Sequence, residues 1–430
     1  MHEALGHRAL RGLYSLAIRL ALPLSLYYLI WRGLRQRDYF DRWSERFALY
    51  RGPGAAACLW IHAVSVGEVN AAAPLVAALR RRRPDLPLLV TTTTPTGSAR
   101  VRALWGHEVR HVYLPYDLPG AVRNFLDHFQ PRLALVVETE IWPNLFAELR
   151  ARGTPLAIVN ARLSERSLRG YRPIAALVAA TLDKVDLVAA QSEADARRYR
   201  KLGAPSARVR VAGNLKYDQP VPDGLVEQAG GWRQRWGARP TWVAASTHPE
   251  EEAIVLQAHA QVLARFPEAL LLWAPRHPER FSAVAAEARR AGLATATRRG
   301  EGLPDARTQV FVVDTLGELL SFCAAADLAF VGGSLQEVGG HNVLEPAALG
   351  VPVVVGPHTF NFQESTDLLI EAGAAQRVGD ADGLGCAVIE AFADPPRAQA
   401  RGAAGRQRIA GERGALTRTM QWLEPMLGEA

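Results

Sequence analysis

Cysteine is nearly missing from this 430-residue chain: Cys58, Cys323 and Cys386 stand alone and far apart. That excludes a disulfide framework and a cysteine-rich zinc site. Lysine is as scarce, with only Lys184, Lys201 and Lys216 among 50 basic residues, so arginine carries almost all positive charge. Charge itself is sparse. At 22% charged and 49% hydrophobic residues the composition is not that of a disordered chain. The net charge of +7 is small and scattered, which argues against nucleic acid as a partner. The length exceeds one ordinary core and points to two or three domains.

Long apolar runs are also lacking, with one exception. From Gly12 to Trp31 the only charge is Arg19, and twenty helical residues reach roughly 30 Å, the thickness of a bilayer's hydrocarbon. Arg8 and Arg11 precede the run; Arg32, Arg35, Arg37 and Arg42 follow it. It ends in Trp31-Arg32 rather than a small-residue cleavage site, so it reads as an anchor and not a removed signal. Arg19 and Pro23 leave two geometries open, a spanning helix or one lying along the interface. If it spans, the heavier basic flank places the C-terminal bulk in the cytoplasm.

The remainder alternates short apolar runs with helical stretches. Strands are expected at Leu59–Val64, Leu88–Thr93, His111–Leu114, Leu133–Val137, Leu156–Val159 and Leu187–Ala190. After Leu59–Val64 a helix is expected through about Arg82, starting late enough to put Pro74 in its first turn. A Pro/Gly-rich connector follows, and strands resume at Trp242–Ala245, Leu270–Ala274, Val310–Val313, Leu328–Val331 and Val353–Val355. Such runs indicate parallel sheets covered on both faces. The reading is α/β: two Rossmann-like domains facing a cleft, with ligands beyond the carboxyl ends of the strands. The expected division is an anchor and basic flank at 1–37, an N-terminal domain at 38–217, a linker at 218–240, a C-terminal domain at 241–405 and C-terminal helices at 406–430 that pack back on the N-terminal domain.

Candidate chemistry sits at the strand ends. In His62-Ala63-Val64-Ser65-Val66-Gly67-Glu68 a glycine turn presents Glu68 at a helix mouth, where it can take a proton from a hydroxyl; the helix dipole favours its ionised form. The bland alternative is a first-turn Glu serving only the dipole. In Glu138-Thr139-Glu140, strand alternation puts both carboxylates on one face, costly unless used or paired. Backbone bonding or a metal are both open, though no further ligands stand at suitable spacing and no metal is expected. Asp380-Ala381-Asp382 resembles a metal-binding DxD but reads as an N-cap. Lys216, in Gly213-Asn214-Leu215-Lys216-Tyr217-Asp218, hints at a compact ammonium where a guanidinium would not fit. In the second half, Arg276 with His277, the turn Gly317-Glu318-Leu319, and Asn342-Val343-Leu344-Glu345 all follow strands. Glycines and helix amides there suit a phosphate, Arg276 adds charge-assisted bonds, and Glu345 suits ribose hydroxyls.

These residues resemble the bacterial 3-deoxy-D-manno-octulosonic acid (Kdo) transferases of lipopolysaccharide assembly. The likeness runs through SVGE (65–68), TTTTPTGSARV (91–101), YLPYDLP (113–119), ETEIWPN (138–144), NARLS (160–164), GNLKYD (213–218), STH (246–248), PRHPERF (275–281), GELL (317–320), GGSLQEVGGHN (332–342) and GPHTFNF (356–362). It departs at Pro346, where relatives often carry Ala, and at Arg19. The resemblance implies a GT-B fold, transfer of Kdo from CMP-Kdo to a lipid A precursor, and no cofactor. It implies Glu68 as general base and Glu138 and Lys216 as transition-state support. Arg276, His277, Gly317, Glu318, Leu319, Asn342, Val343, Leu344 and Glu345 become the CMP contacts. One base fits an inverting single displacement. The implied setting is the cytoplasmic side of the inner membrane, with Arg32, Arg35, Arg37, Arg42 and Arg46 as a basic shelf beside an anionic lipid. The residues alone leave two rivals: a GT-B transferase using a UDP-sugar, and a membrane-tethered nucleotide- or lipid-binding protein without turnover.

Overall fold

The computed structural model describes residues 5–428 except 51, 53, 55 and 56, so the outermost residues of the expected anchor and C-terminal segment lie outside the description. The chain forms two compact units, Met1–Gln219 with Glu412–Ala430, and Pro220–Gly411. The first holds seven strands: β1 (Leu59–His62), β2 (Leu88–Thr92), β3 (Arg110–Tyr113), β4 (Leu133–Val137), β5 (Leu156–Ala161), β6 (Leu187–Ala190) and β7 (Val209–Val211). All pairs are parallel, in the order β3-β2-β1-β4-β5-β6-β7. The order reverses between β1 and β4, the switch point where such sheets bind ligands.

The second unit repeats the plan with β8 (Thr241–Thr247), β9 (Leu270–Pro275), β10 (Thr295–Thr297), β11 (Val310–Val312), β12 (Leu328–Val331), β13 (Val353–Val355) and β14 (Ala375–Arg377). The order is β10-β11-β9-β8-β12-β13-β14, again all parallel, and the switch point lies between β8 and β12. Central strands are buried on both faces, which is why they read as unbroken apolar runs. Trp60 and Trp273 are fully buried, and each indole donates to a threonine on the adjoining strand at 2.9 Å, Thr91 and Thr247 respectively. Burying such a ring contributes roughly 4–6 kcal/mol of gross transfer energy, which an unpartnered N–H would erode.

Several expectations change. The helix Val66–Arg82 starts early and runs through Pro74; the apolar face Val69, Ala72, Leu75, Val76 and Leu79 is buried on both sides of the proline, and that packing outweighs one missing N–H bond. The 218–240 connector is no plain linker. It contains the helix Leu225–Trp236, whose Ala229 and Trp236 join the second unit's core. Helix Pro395–Glu412 seats Gly402 and Gly405 against Gly350 and Ala374 of that unit, so 406–411 stay with it. Helix Ala415–Leu427 returns to the first unit, where Asp218 accepts from the amides of Gly414 and Leu416 at 2.7 and 2.8 Å. Cys58 and Cys323 are buried and Cys386 is exposed, all unbridged.

The apolar run forms part of one helix, Leu5–Arg35, long and apolar enough by length and composition to cross a membrane. One stripe packs on helices Pro143–Ala151 and Ala175–Leu182 of the first unit. Ser15 there donates to Asn144 Oδ1 at 3.0 Å, and Asp117 accepts from the Asn144 and Leu145 amides at 2.9 and 2.8 Å. Burial pushes the Asp117 carboxyl up to about 7 against those bonds. The opposite face leaves Leu13, Leu16, Leu20, Leu24 and Leu34 exposed. Of the expected basic shelf, only Arg32, Arg35 and Arg37 are exposed at the surface. Arg46 is 6% exposed beneath the Tyr113 ring, and Arg42 donates to Ser98 Oγ and the His111 carbonyl at 2.8 and 3.1 Å.

Candidate active site

In the first unit, β1 stops at His62 and Ser65 stands at the N-cap position of the helix that follows, its hydroxyl making no capping bond. Glu68 is the third residue of that helix and turns back on its own start. Its Oε2 accepts from Val64 N at 2.7 Å and its Oε1 from Ser65 Oγ at 3.2 Å, so the side chain folds over the residues just before the helix. Gly67 makes no left-handed turn, and a Cβ there would meet only Ser65 Oγ at 3.8 Å. The expected glycine turn is therefore an ordinary helix start.

Ionisation of Glu68 also departs from expectation. Burial raises its carboxyl to about 8; the Val64 amide opposes this, and the charges of Glu138 and Glu140 add to it. The helix N-terminus thus loses to desolvation and like charge, so near neutral pH the resting group holds a proton.

Glu138 and Glu140 lie past the end of β4, and Glu138 takes φ +62, so strand alternation does not order this pair. Two bonds hold the left-handed residue: its N–H donates to the Val159 carbonyl and its carbonyl accepts from Tyr199 Oη, both at 3.0 Å. Burial raises the Glu138 carboxyl, while Arg162 and Lys216 pull it down; Glu140 rises to about 7, chiefly through burial. Lys216 is carried by the turn Leu215–Asp218, fixed by Asn160 Oδ1 accepting from Leu215 N at 3.0 Å and by Asn214 Oδ1 accepting from Lys216 N at 3.1 Å. Glu68, Glu138, Glu140, Arg162 and Lys216 therefore act on one another at one end of the sheet. Arg162 and Asn160, both in NARLS, had no role in the sequence reading; the fold shows Asn160 at φ +51 with its side chain on Leu215 N.

In the second unit the loop after β12 hangs on Glu251. This buried carboxylate accepts from Gly333 N at 2.7 Å, Ser334 N at 3.0 Å, Leu335 N at 2.9 Å and His248 N at 3.0 Å. Gly332 must be glycine, because a Cβ would lie 2.7 Å from the Ser246 carbonyl. Arg276 is exposed just past β9 with His277 beside it; Arg280 braces their turn by pairing with buried Glu252. Glu318 is held by its own unit. Its carboxylate is held by Arg298 at 2.6–3.2 Å and by Thr315. Asn342 Oδ1 accepts from Leu344 N at 3.1 Å and Asn342 Nδ2 donates to Glu345 at 3.0 Å. The helix Leu344–Ala348 is five residues long, and Asn342 already takes its first amide. Asp380 caps its helix by accepting from Gly383 N at 2.9 Å, as the sequence indicates.

Residues 41–219 match the family described as 3-deoxy-D-manno-octulosonic-acid transferase (kdotransferase). The chain aligns with the 3-deoxy-D-manno-octulosonic acid transferase of Haemophilus influenzae at 41% identity over 425 residues, 97% of this chain and 99% of that one. The chain belongs to the Kdo transferase family. As a family member it is a glycosyltransferase, consistent with the sequence resemblance. Part of it also matches the C-terminal CMP-Kdo binding domain of WaaA from Acinetobacter baumannii at 36% identity, with a TM-score of 0.42, covering 43% of this chain and 98% of that domain. In fold it is similar to UDP-GlcNAc 2-epimerase from Neisseria meningitidis bound to UDP-GlcNAc, at 15% identity and a TM-score of 0.54, covering 86% of this chain and 100% of that one. The Kdo transferase fold here is thus the two-sheet, GT-B-like α/β arrangement.

Proposed function

We propose that this Kdo transferase moves Kdo from CMP-Kdo to a sugar hydroxyl of a lipid A precursor, with inversion, at the cytoplasmic side of the inner membrane. Glu68 carries the reading: a largely buried carboxylate at a switch point, its proton affinity raised by burial and by two neighbouring carboxylates. In its ionised form Glu68 takes the acceptor's hydroxyl proton as the oxygen attacks the anomeric carbon. Lys216 and Glu138 stabilise charge beside it. Arg276, the backbone of 317–319 and the segment 342–345 hold the CMP leaving group, whose phosphate gains charge as the bond breaks. These groups bear the developing charge without a metal.

The N-terminal helix is tied lengthwise to the first unit, which supports its lying in the interface. Leu13, Leu16, Leu20, Leu24 and Leu34 then enter the acyl region, and Arg32, Arg35 and Arg37 meet anionic headgroups. The test incubates purified protein in detergent with freshly generated CMP-Kdo and a lipid A precursor, with UDP-sugars in parallel, and reads products by mass spectrometry. Kdo-bearing lipid is expected from CMP-Kdo alone, at a rate unchanged by chelator. Product from a UDP-sugar only, or none from either, would overturn the assignment.

A further inference from the structure

Three imidazoles meet at the switch point of the second sheet. His248 follows β8, His277 follows β9, and His341 closes the loop after β12. The rings of His248 and His341 stack 6° from parallel with their centroids 5.2 Å apart, and their Nε2 atoms are 2.9 Å apart. His277 meets His248 edge-on at 5.2 Å. Gly333, at φ +67, lies against the pair, and a Cβ there would come within 2.9 Å of His341 Cδ2. Glu251, bonded to both His248 N and Gly333 N, locks the backbone on both sides.

A hydrogen bond between two Nε2 atoms needs one shared proton. The neutral pair holds two ring protons, so only one ring then has an N–H at Nδ1; one further proton makes both Nδ1 atoms donors. The charged and titratable groups around the pair are Arg276 and His277, with Glu250 and Glu251 near His248. Burial, then Arg276 and the neighbouring imidazoles, lower His341 to about 4; burial leads the lowering of His248. The empty pair is neutral near pH 7, and an anion placed against it would reverse that balance.

We propose that His248 and His341 form the subsite for the donor's sugar carboxylate, and that the pair takes up a proton when the donor binds. This rests on CMP-Kdo being the donor. In a 2-keto acid joined to a phosphate through its anomeric carbon, carboxylate and phosphate share one carbon. A site that holds the phosphate at Arg276 must therefore accommodate a second anion immediately beside it. A neutral sugar nucleotide presents no such group, so the pair selects for an acidic sugar.

The test measures the KM for CMP-Kdo and the inhibition constant for CMP between pH 6 and 9, in the wild type and in His248→Gln and His341→Gln. Because the bound pair holds an extra proton, wild-type KM is expected to climb as pH rises, more steeply than the CMP constant. Each variant should raise KM about tenfold or more at pH 6 and flatten its pH dependence, with CMP inhibition within about twofold of wild type, the range of ordinary context scatter. Wild-type KM that tracks CMP inhibition across pH overturns the proposal, as do variants with wild-type KM or with CMP inhibition lost in step. Absence of Kdo transfer by the wild type would remove the donor reading and this subsite together; an active wild type with unaffected variants removes the subsite alone.

Discussion

The two sheets share a plan and differ in charge. At the switch point of the first stand three carboxylates, Glu68, Glu138 and Glu140, each raised chiefly by burial. At that of the second stand Arg276 and three imidazoles, with His248 and His341 lowered chiefly by burial. Topology sets where a ligand can bind, while the residues just past the strands decide whether the place gathers protons or anions. Each unit also ties down its loops with a buried carboxylate on backbone amides, Asp117 in the first and Glu251 in the second.

The contrast breaks most sharply at Glu68. Glu68→Gln keeps the shape and removes the base, so turnover is expected to fall by about 10²–10⁴-fold while CMP binding by the second unit is unchanged. Steady-state kinetics with a CMP titration checks both halves, and loss of CMP affinity would deny the division of labour. Glu251→Ala is expected to act as its opposite. It orphans four amides, costs roughly 3 kcal/mol or more of stability, and weakens CMP binding, measured by thermal melting and titration. The smallest effect is expected at Asp380→Ala, where losing one cap costs about 1 kcal/mol and leaves transfer unaltered; a large activity loss there would return the DxD to the chemistry.

Much of the fold is legible because central parallel strands are buried on both faces, so β4, β6, β12 and β13 stand out as apolar runs with their observed ends. Three of the four edges are not legible: β7, β10 and β14 are three residues each, with sequences VRV, TAT and AQR, too short and polar for a pattern, whereas the edge β3 is read one residue late. Gly230 and Gly231 hide the helix Leu225–Trp236, which forms because Trp236 has a core to fill. Glu68 is legible through its place at a helix mouth just past a strand. Its raised proton affinity is not, since that depends first on burial in the folded unit and then on Glu138 and Glu140, some seventy residues away in sequence and brought near by β1 pairing with β4. The His248–His341 contact spans 93 positions, and the burial of Arg46 depends on the Tyr113 ring covering it; neither leaves a local trace.

The most direct measurement is the pH dependence of kcat/KM for the lipid acceptor at saturating CMP-Kdo. Glu68 must be ionised to act, and its carboxyl is raised to about 8, so the rate constant is expected to rise about tenfold per pH unit below that value and level off above it. A profile that is flat from pH 5 to 9, or one that keeps its rise in Glu68→Gln, would contradict Glu68 as the base.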